Sequence, residues 1–385
     1  MSPVVTISGG GIIGNYISSR LNSKNIKSIV IEKSKEDVAY NQNIRTLTLN
    51  PFSKRLLDDI GIDVNYSEIK QINVLDGEGT GSINFSAKEI NSDNLSYVVF
   101  FNDLKFALQK KELERTLFQT HIKDIKEHKD NDPCEIILSD EKRIYSNLIA
   151  GCDGRNSNIA KLASLDPITG DYKQTAITFT AITNLDDPNL AFQVFSEKGI
   201  FAIMPLPAQN GKPTHTVVWS VDNKRLEEQT EEDYVRKNIA YFEKKLGAEI
   251  NIHSDVLSFN LFNHYFENYV SGSLVLIGDA AHSIHPLAGQ GINLGFADAD
   301  AFCEEIVNAY ERKITIDKRL ILKKYEIRRK NMNLLMLKSM DFFVDIFRSD
   351  NLYIRMLRNI GLSGVNKTKF LKKFFINHAV GKNKI

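Results

Sequence analysis

The sequence predicts an α/β protein with α+β elements: a three-layer domain on a parallel sheet, interleaved with a mixed β-sheet domain and followed by a helical segment. Three observations carry this. A β-α-β unit opens the chain, runs of period-two alternation fill residues 172–262, and two further apolar strands end in glycine-bearing loops that lead into helices. A length of 385 residues accommodates two interleaved domains. The expected first domain takes residues 1–70, 96–165 and 265–320, the second 71–95 and 166–264, and the helical, basic segment 321–385.

The elements follow in order. Residues 3–8 form a buried strand, a glycine loop leads into a helix through about Arg20, and a second strand covers Ser28–Glu32. Asp76-Gly77-Glu78-Gly79 is a hairpin turn between Ile72–Leu75 and Ser82–Phe85. Leu104, Leu108, Leu113 and Leu117 mark a helix, and Glu135–Leu138 and Leu148–Ala150 mark strands. The second domain's strands are Ala176–Thr183, Phe192–Phe195, Phe201–Pro205, Thr216–Val221 and Asp255–Leu261, interrupted by a helix over Glu231–Leu246. Leu274–Ile277 returns to a buried strand, Gly289–Ala309 has helix periodicity, and about 318–378 is helical with basic faces.

Composition excludes several classes. A formal net charge of +1 leaves no global basic field for nucleic acid. The charge is uneven, however: residues 351–385 carry eight Lys and Arg and no acid, so 351–385 is +8 and the remainder about −7. Three cysteines without C-x-x-C spacing argue against disulfides and structural zinc, and no cluster has metal-ligand spacing. No apolar run reaches membrane-spanning length, and no signal peptide precedes the first strand, so a cytoplasmic location or peripheral attachment to the inner face of a membrane is expected.

Gly9-x-Gly11-x-x-Gly14 lies between a strand and a helix. Its glycines keep the turn tight, let the backbone approach a pyrophosphate, and bring the helix onto the strand. Glu32 ends the next strand, where an acid accepts from ribose hydroxyls and repels a 2′-phosphate. Together these predict a Rossmann-like dinucleotide site. A second strand ends in Gly151-Cys152-Asp153-Gly154, with a helix beginning near Ser157. The third string, Gly278-Asp279-Ala280-Ala281-His282 through Pro286, Gly289, Gln290, Gly291, Ile292 and Asn293 to Gly295, is the most specific. Asp279 can hold a ribitol hydroxyl, and N–H groups at Gly291–Asn293 open a helix whose partial positive charge suits the electron-rich edge of a reduced flavin. That points to FAD. Gly77-Glu78-Gly79-Thr80-Gly81 joins two strands, opens no helix, and is rejected as a phosphate loop.

These strings resemble the class A flavoprotein monooxygenases, and within them the ubiquinone-biosynthesis hydroxylases. The likeness runs over nearly the whole chain, through Arg45 in Ile44-Arg45-Thr46, Asn102, Asp153-Gly154, Gly199-x-x-Ala202-Ile203-Met204-Pro205, Val218-Trp219 and the Gly278–Gly295 string. The resemblance implies Arg45 and Asn102 along the FAD, Asp153-Gly154 serving both FAD and nicotinamide, Asp279 near the ribityl chain, and Gly291–Asn293 beside the isoalloxazine. Ala160 stands where the family commonly has an arginine, and Gln193-Val194 replaces an acid–arginine pair.

With one fingerprint, the expectation is tightly held FAD and transient NADH or NADPH. Dioxygen would react at the reduced flavin to give a C4a-hydroperoxide, which a lipophilic phenol or quinol, polyprenylated as the resemblance implies, would attack. A flavin reductase of a prenylated substrate and a silent scaffold in a biosynthetic complex are the alternatives. No catalytic base is assigned: His282 is read as bracing its loop, and Cys152 as a small buried hydrophobe. In 369–375, Phe370, Leu371, Phe374 and Phe375 share one helical face opposite lysines, so 351–385 either caps the flavin domain or lies on an anionic membrane.

Overall fold

The computed structural model describes residues 3–36, 44–128, 132–209, 211–285, 289–312 and 318–348, the side chains of residues 209, 290 and 342–348 excepted. Four parallel strands lie side by side in the order Leu274–Leu276, Leu148–Gly151, Val5–Ser8 and Ser28–Ile31. They are short, rich in Ile, Val and Leu, and almost wholly buried, as a parallel sheet covered on both faces requires. Thr116–Leu117 extends this sheet in parallel and Val270–Ser271 closes the other edge antiparallel. Helices Ile12–Asn22, Phe101–Lys111 and Gln290–Glu311 cover it, the first touching both others. The short helix Asn158–Leu162 bridges from Leu148–Gly151 to a three-stranded sheet of Ile122–Lys126, Cys134–Leu138 and Arg143–Ser146.

The second sheet runs in the order His282–Ser283, Leu257–Phe266, Pro167–Thr183, Lys212–Asp222, Gly199–Gln209, Leu190–Ser196, Gln71–Asp76 and Ser82–Ser86, with Ile250–Ile252 pairing off this path. It is mixed because Leu190–Ser196 pairs parallel with Gln71–Asp76 while the other pairs are antiparallel. One face packs on the helix Glu231–Leu246. Thr230 caps that helix, three acids fill its first turn, and Gly247 ends it at φ +66°. Against it, Phe242 stacks on Phe201 at 4.1 Å and meets Trp219 edge-on at 4.8 Å.

A third sheet, Thr46–Leu49, Ser96–Phe100 and Ser67–Ile69, connects the two. The hairpin closes through Asp76 N–H donating to Gly81 O, and no helix follows the glycines directly. Two expectations need correction. The helix read through Leu113 and Leu117 stops at Lys111; a single 3₁₀ turn follows, and Leu117 pairs with Ile31 as a strand. The chain turns there because fully buried Glu112 accepts hydrogen bonds from Ser18 and Ser19 hydroxyls, while Thr116 Oγ1 donates to the Glu112 carbonyl. The predicted Ala176–Thr183 strand begins at Pro167, continuing through a bulge where Lys173 has φ +54°.

Because Phe242 joins three aromatic rings and leaves no exposed surface, Phe242→Ala should cost about 3–5 kcal/mol. Urea unfolding would show this as a lower midpoint at unchanged slope; a loss below about 1 kcal/mol would mean the core closes over the gap.

Candidate functional site

The loops that follow the four central parallel strands converge. Gly9 follows Val5–Ser8, Glu32 follows Ser28–Ile31, Asp153 follows Leu148–Gly151, and Asp279 follows Leu274–Leu276. Ligands of open α/β sheets bind at such carboxyl ends. Arg45 and Asn102 come from the connecting sheet instead: Arg45 precedes Thr46–Leu49, Asn102 follows Ser96–Phe100, and Phe101 N–H donates to Arg45 O at 2.9 Å. The Arg45 guanidinium stacks 4.3 Å above the Phe101 ring.

The glycines divide by what surrounds them. A side chain at Gly9 would place its Cβ 2.4 Å from Cys152 O, and φ there is +104°. At Gly14 it would fall 2.0 Å from Gly9 O. These two let the loop close on itself and on the neighbouring strand. At Gly11, Gly154 and Gly291 a Cβ would meet nothing within 4 Å. Backbone from all three glycine motifs thus faces open space. Among the described residues, glycine stands at the N-cap of the helix beginning after Gly11 and of the one beginning after Gly289, whose φ is +64°, so neither N-cap residue supplies a side-chain cap. Two helix N-termini with orphan N–H groups therefore stand where an anionic cofactor would be held.

The carboxylates share the work unevenly. Glu32 accepts from Gly10 N–H at 2.6 Å and Ser34 N–H at 2.8 Å, so it fixes the glycine loop while remaining half-exposed. Asp153 accepts from Ser157 Oγ and from the N–H groups of Asn158 and Ile159, which caps the short helix beyond. Asp279 is open to solvent, yet crowding by protein raises its carboxyl above the usual value against the opposing pull of His282 and Arg45. Desolvation likewise lowers Arg45, which Asp279 partly restores. The pair is complementary across the site.

Asn293 is buried, and its side chain is spent on structure. Its Oδ1 accepts from Asn50 N–H, and its Nδ2 donates to Thr48 O and Gly289 O. It locks the helix start to the connecting sheet. Asn102 is half-buried in the first turn of its helix. Pro286 and the side chain of Gln290 lie outside the described residues.

Sequence reading missed what holds the third string in place. The fully buried Asp298 carboxylate accepts from His282 Nε2 at 2.6 Å, Arg329 Nε at 2.7 Å, Asn333 Nδ2 at 2.9 Å and Gly278 N–H at 3.3 Å. Burial alone would raise Asp298, but His282 and Arg329 more than offset it and hold the group well below the carboxylate range. The signal was present: Arg329 shares a helical face with Leu322, Tyr325 and Met336, where an unpaired charge would be untenable. His282 does brace its loop. Burial and the neighbouring Asp153 raise the Cys152 thiol, which keeps it a thiol.

Gly11→Ala should leave the melting temperature of cofactor-free protein within about 2 °C while weakening FAD retention at least about tenfold, read from the flavin absorbance after gel filtration. Gly14→Ala should lower both; equal behaviour of the two variants would refute the division of roles. Burial pushes the imidazoles of His215, His264 and His285 down to about 4. The unfolded chain takes up those protons near pH 6.5, so stability is full above about 6.5 and falls as pH drops toward 4. His285, 2.9 Å from Gln174 Oε1, accounts for roughly 3 kcal/mol of that loss. His285→Gln should flatten the slope of urea midpoint against pH in that window, and an unchanged slope would overturn the assignment.

Known proteins resemble this chain along nearly its whole length. A family described as FAD binding domain matches residues 2–338. Ubiquinone hydroxylase UbiL of Rhodospirillum rubrum is 28% identical over 400 residues, covering 99% of this chain and 90% of that protein. The 3-demethoxyubiquinol 3-hydroxylase of Escherichia coli is 28% identical over 390 residues, covering 98% of each. In fold, the chain resembles p-nitrophenol 4-monooxygenase PnpA from Pseudomonas putida with a TM-score of 0.77 at 13% identity, covering 98% of both chains. Klebsiella pneumoniae HpxO complexed with FAD and uric acid gives 0.74 at 17%, covering 98% of this chain and 96% of that one. With three backbone cradles open at the sheet's edge and a family match spanning them, the chain belongs to the FAD binding domain family and is a class A FAD-dependent monooxygenase.

Proposed function

We propose that this enzyme hydroxylates the aromatic ring of a polyprenylated phenol or quinol in ubiquinone biosynthesis, drawing electrons from NADH or NADPH and oxygen from dioxygen. The end-to-end likeness to two ubiquinone-pathway hydroxylases supports the pathway. One structural observation supports an apolar ring substrate: the nature of the wall where the two units meet. Thr48 Oγ1 donates to Met204 Sδ at 3.3 Å, Thr46 and Thr216 hydroxyls lie 3.1 Å apart, and a Cβ at Gly289 would fall 2.7 Å from Thr48 Cβ. By strand alternation Ala202, Met204, Thr216 and Val218 share the sheet face turned to this junction, while Phe201, Ile203, Val217 and Trp219 bury against the helix. That wall offers aliphatic surface and hydroxyls without a charge, which suits a neutral ring and disfavours an ionic one.

In this reading Gly9–Gly14, Glu32, Arg45, Asn102, Asp153, Gly154 and Asp279 hold the FAD, and Gly289–Asn293 present backbone N–H groups to its ring. The bound flavin supplies electron transfer and oxygen activation. The protein's own contribution is to orient the substrate ring against the wall and exclude water.

Turnover of a prenylated phenol under ¹⁸O₂ with FAD and NADH or NADPH should give product carrying one labelled oxygen per ring, read by mass spectrometry. A product that is reduced but unlabelled would establish the reductase reading instead. Asp279→Ala should lower turnover at least about tenfold with parallel loss of bound flavin.

A further inference from the structure

The helix Lys318–Arg348 has two faces of different chemistry. Its inner face is buried through Leu322, Tyr325, Met336 and Leu337, with Arg329 and Asn333 reaching Asp298. Its outer face carries three large aliphatic side chains more exposed than half: Leu320 at 55%, Ile327 at 62% and Leu335 at 55%. They are seven and eight residues apart, about two helical turns each, so they share one face in a strip about 22 Å long and about 80° wide. Lys324 and Asn331 lie between them on the same strip and Lys338 follows Leu335, all exposed. Residues 318–338 hold eight Lys and Arg against one acid, Glu326. Lys323 pairs with Glu326, and Arg328 with Glu304 and Glu305, which leaves the surface cationic overall.

Three exposed aliphatic side chains in register are costly in water unless something covers them. We propose that this outer face docks on an anionic lipid bilayer, with Leu320, Ile327 and Leu335 entering the interface and Lys324 and Lys338 meeting lipid phosphates. Alternation of aliphatic and lysine side chains along a straight helix fits a planar surface that is apolar beneath and anionic above. Among the described residues no helix is long and apolar enough to cross a membrane, so the contact is a docking one. Residues 351–385 of the same chain are a poor cover, because their +8 charge would be set against a cationic face. The proposal concerns a surface and does not depend on the reaction assigned to the site.

Flotation of the full-length, FAD-loaded protein with vesicles of phosphatidylcholine, with and without phosphatidylglycerol, tests it. Wild type should float with the anionic vesicles only, and less as salt is raised. Leu320→Ser/Ile327→Ser/Leu335→Ser should reduce the bound fraction at least about tenfold, and Lys324→Gln/Lys338→Gln by a similar factor. Both should keep flavin absorbance and melting temperature, since the substituted side chains point outward. Undiminished flotation of the triple variant would overturn the proposal and make 351–385 the anchor. Wild type that floats with neither vesicle would overturn it in favour of a protein partner.

Discussion

Asp298 is the constraint on which the loop after Leu274–Leu276 depends, the flavin loop of the proposed function. A carboxylate with no solvent exposure is tenable only when its charge is paired and its lone pairs are used. Here Arg329 supplies the charge, while His282, Asn333 and the Gly278 N–H fill the remaining sites. One group thereby ties the loop after Leu274–Leu276, the helix that carries it, and the helix Lys318–Arg348. Loss of one partner from such a cluster leaves a buried charge uncompensated, at a cost on the order of 3–5 kcal/mol. The loop's glycines supply freedom, and this cluster removes it again.

The strand–glycine loop–helix geometry of the first motif was legible because its requirements are local. A pyrophosphate cradle needs backbone approach within a few residues, so Gly9, Gly11 and Gly14 declare it, and a strand with an acid at its end completes the pattern. Arg45 and Asn102 were reachable only through family resemblance, because their adjacency arises from pairing Thr46–Leu49 with Ser96–Phe100, some fifty residues apart. No periodicity encodes a register of that separation. Leu117 shows the opposite failure. Its helical spacing from Leu104, Leu108 and Leu113 is real, but Glu112 is drawn into the interior by Ser18 and Ser19, and that tertiary contact overrides the local pattern.

The buried histidines are held by hydrogen bonds and ring contacts. His264 Nε2 donates to the Asp279 carbonyl, His285 meets Gln174 and the edge of Tyr172, and His215 meets Thr183. Burial keeps all three neutral near pH 7. Together with the uncharged wall of Ala202, Met204, Thr216 and Val218, they add no charge of their own to the junction between the units. A reaction that proceeds on the cofactor needs little acid–base apparatus from the protein, whereas stray charge near it would admit water.

The helix Lys318–Arg348 connects these themes. Its inner face is pinned through Arg329 and Asn333 to the carboxylate that braces the flavin loop, and its outer face bears the aliphatic–lysine strip. A partner bound to the outer face can shift a conformational equilibrium only if it favours one of two arrangements of the inner one. Asp298 already spends its lone pairs on four donors, so a second arrangement would have to give one of them up. Docking on that face would therefore act by orientation, holding the flavin loop at a fixed attitude to the surface, and not by switching the site between states.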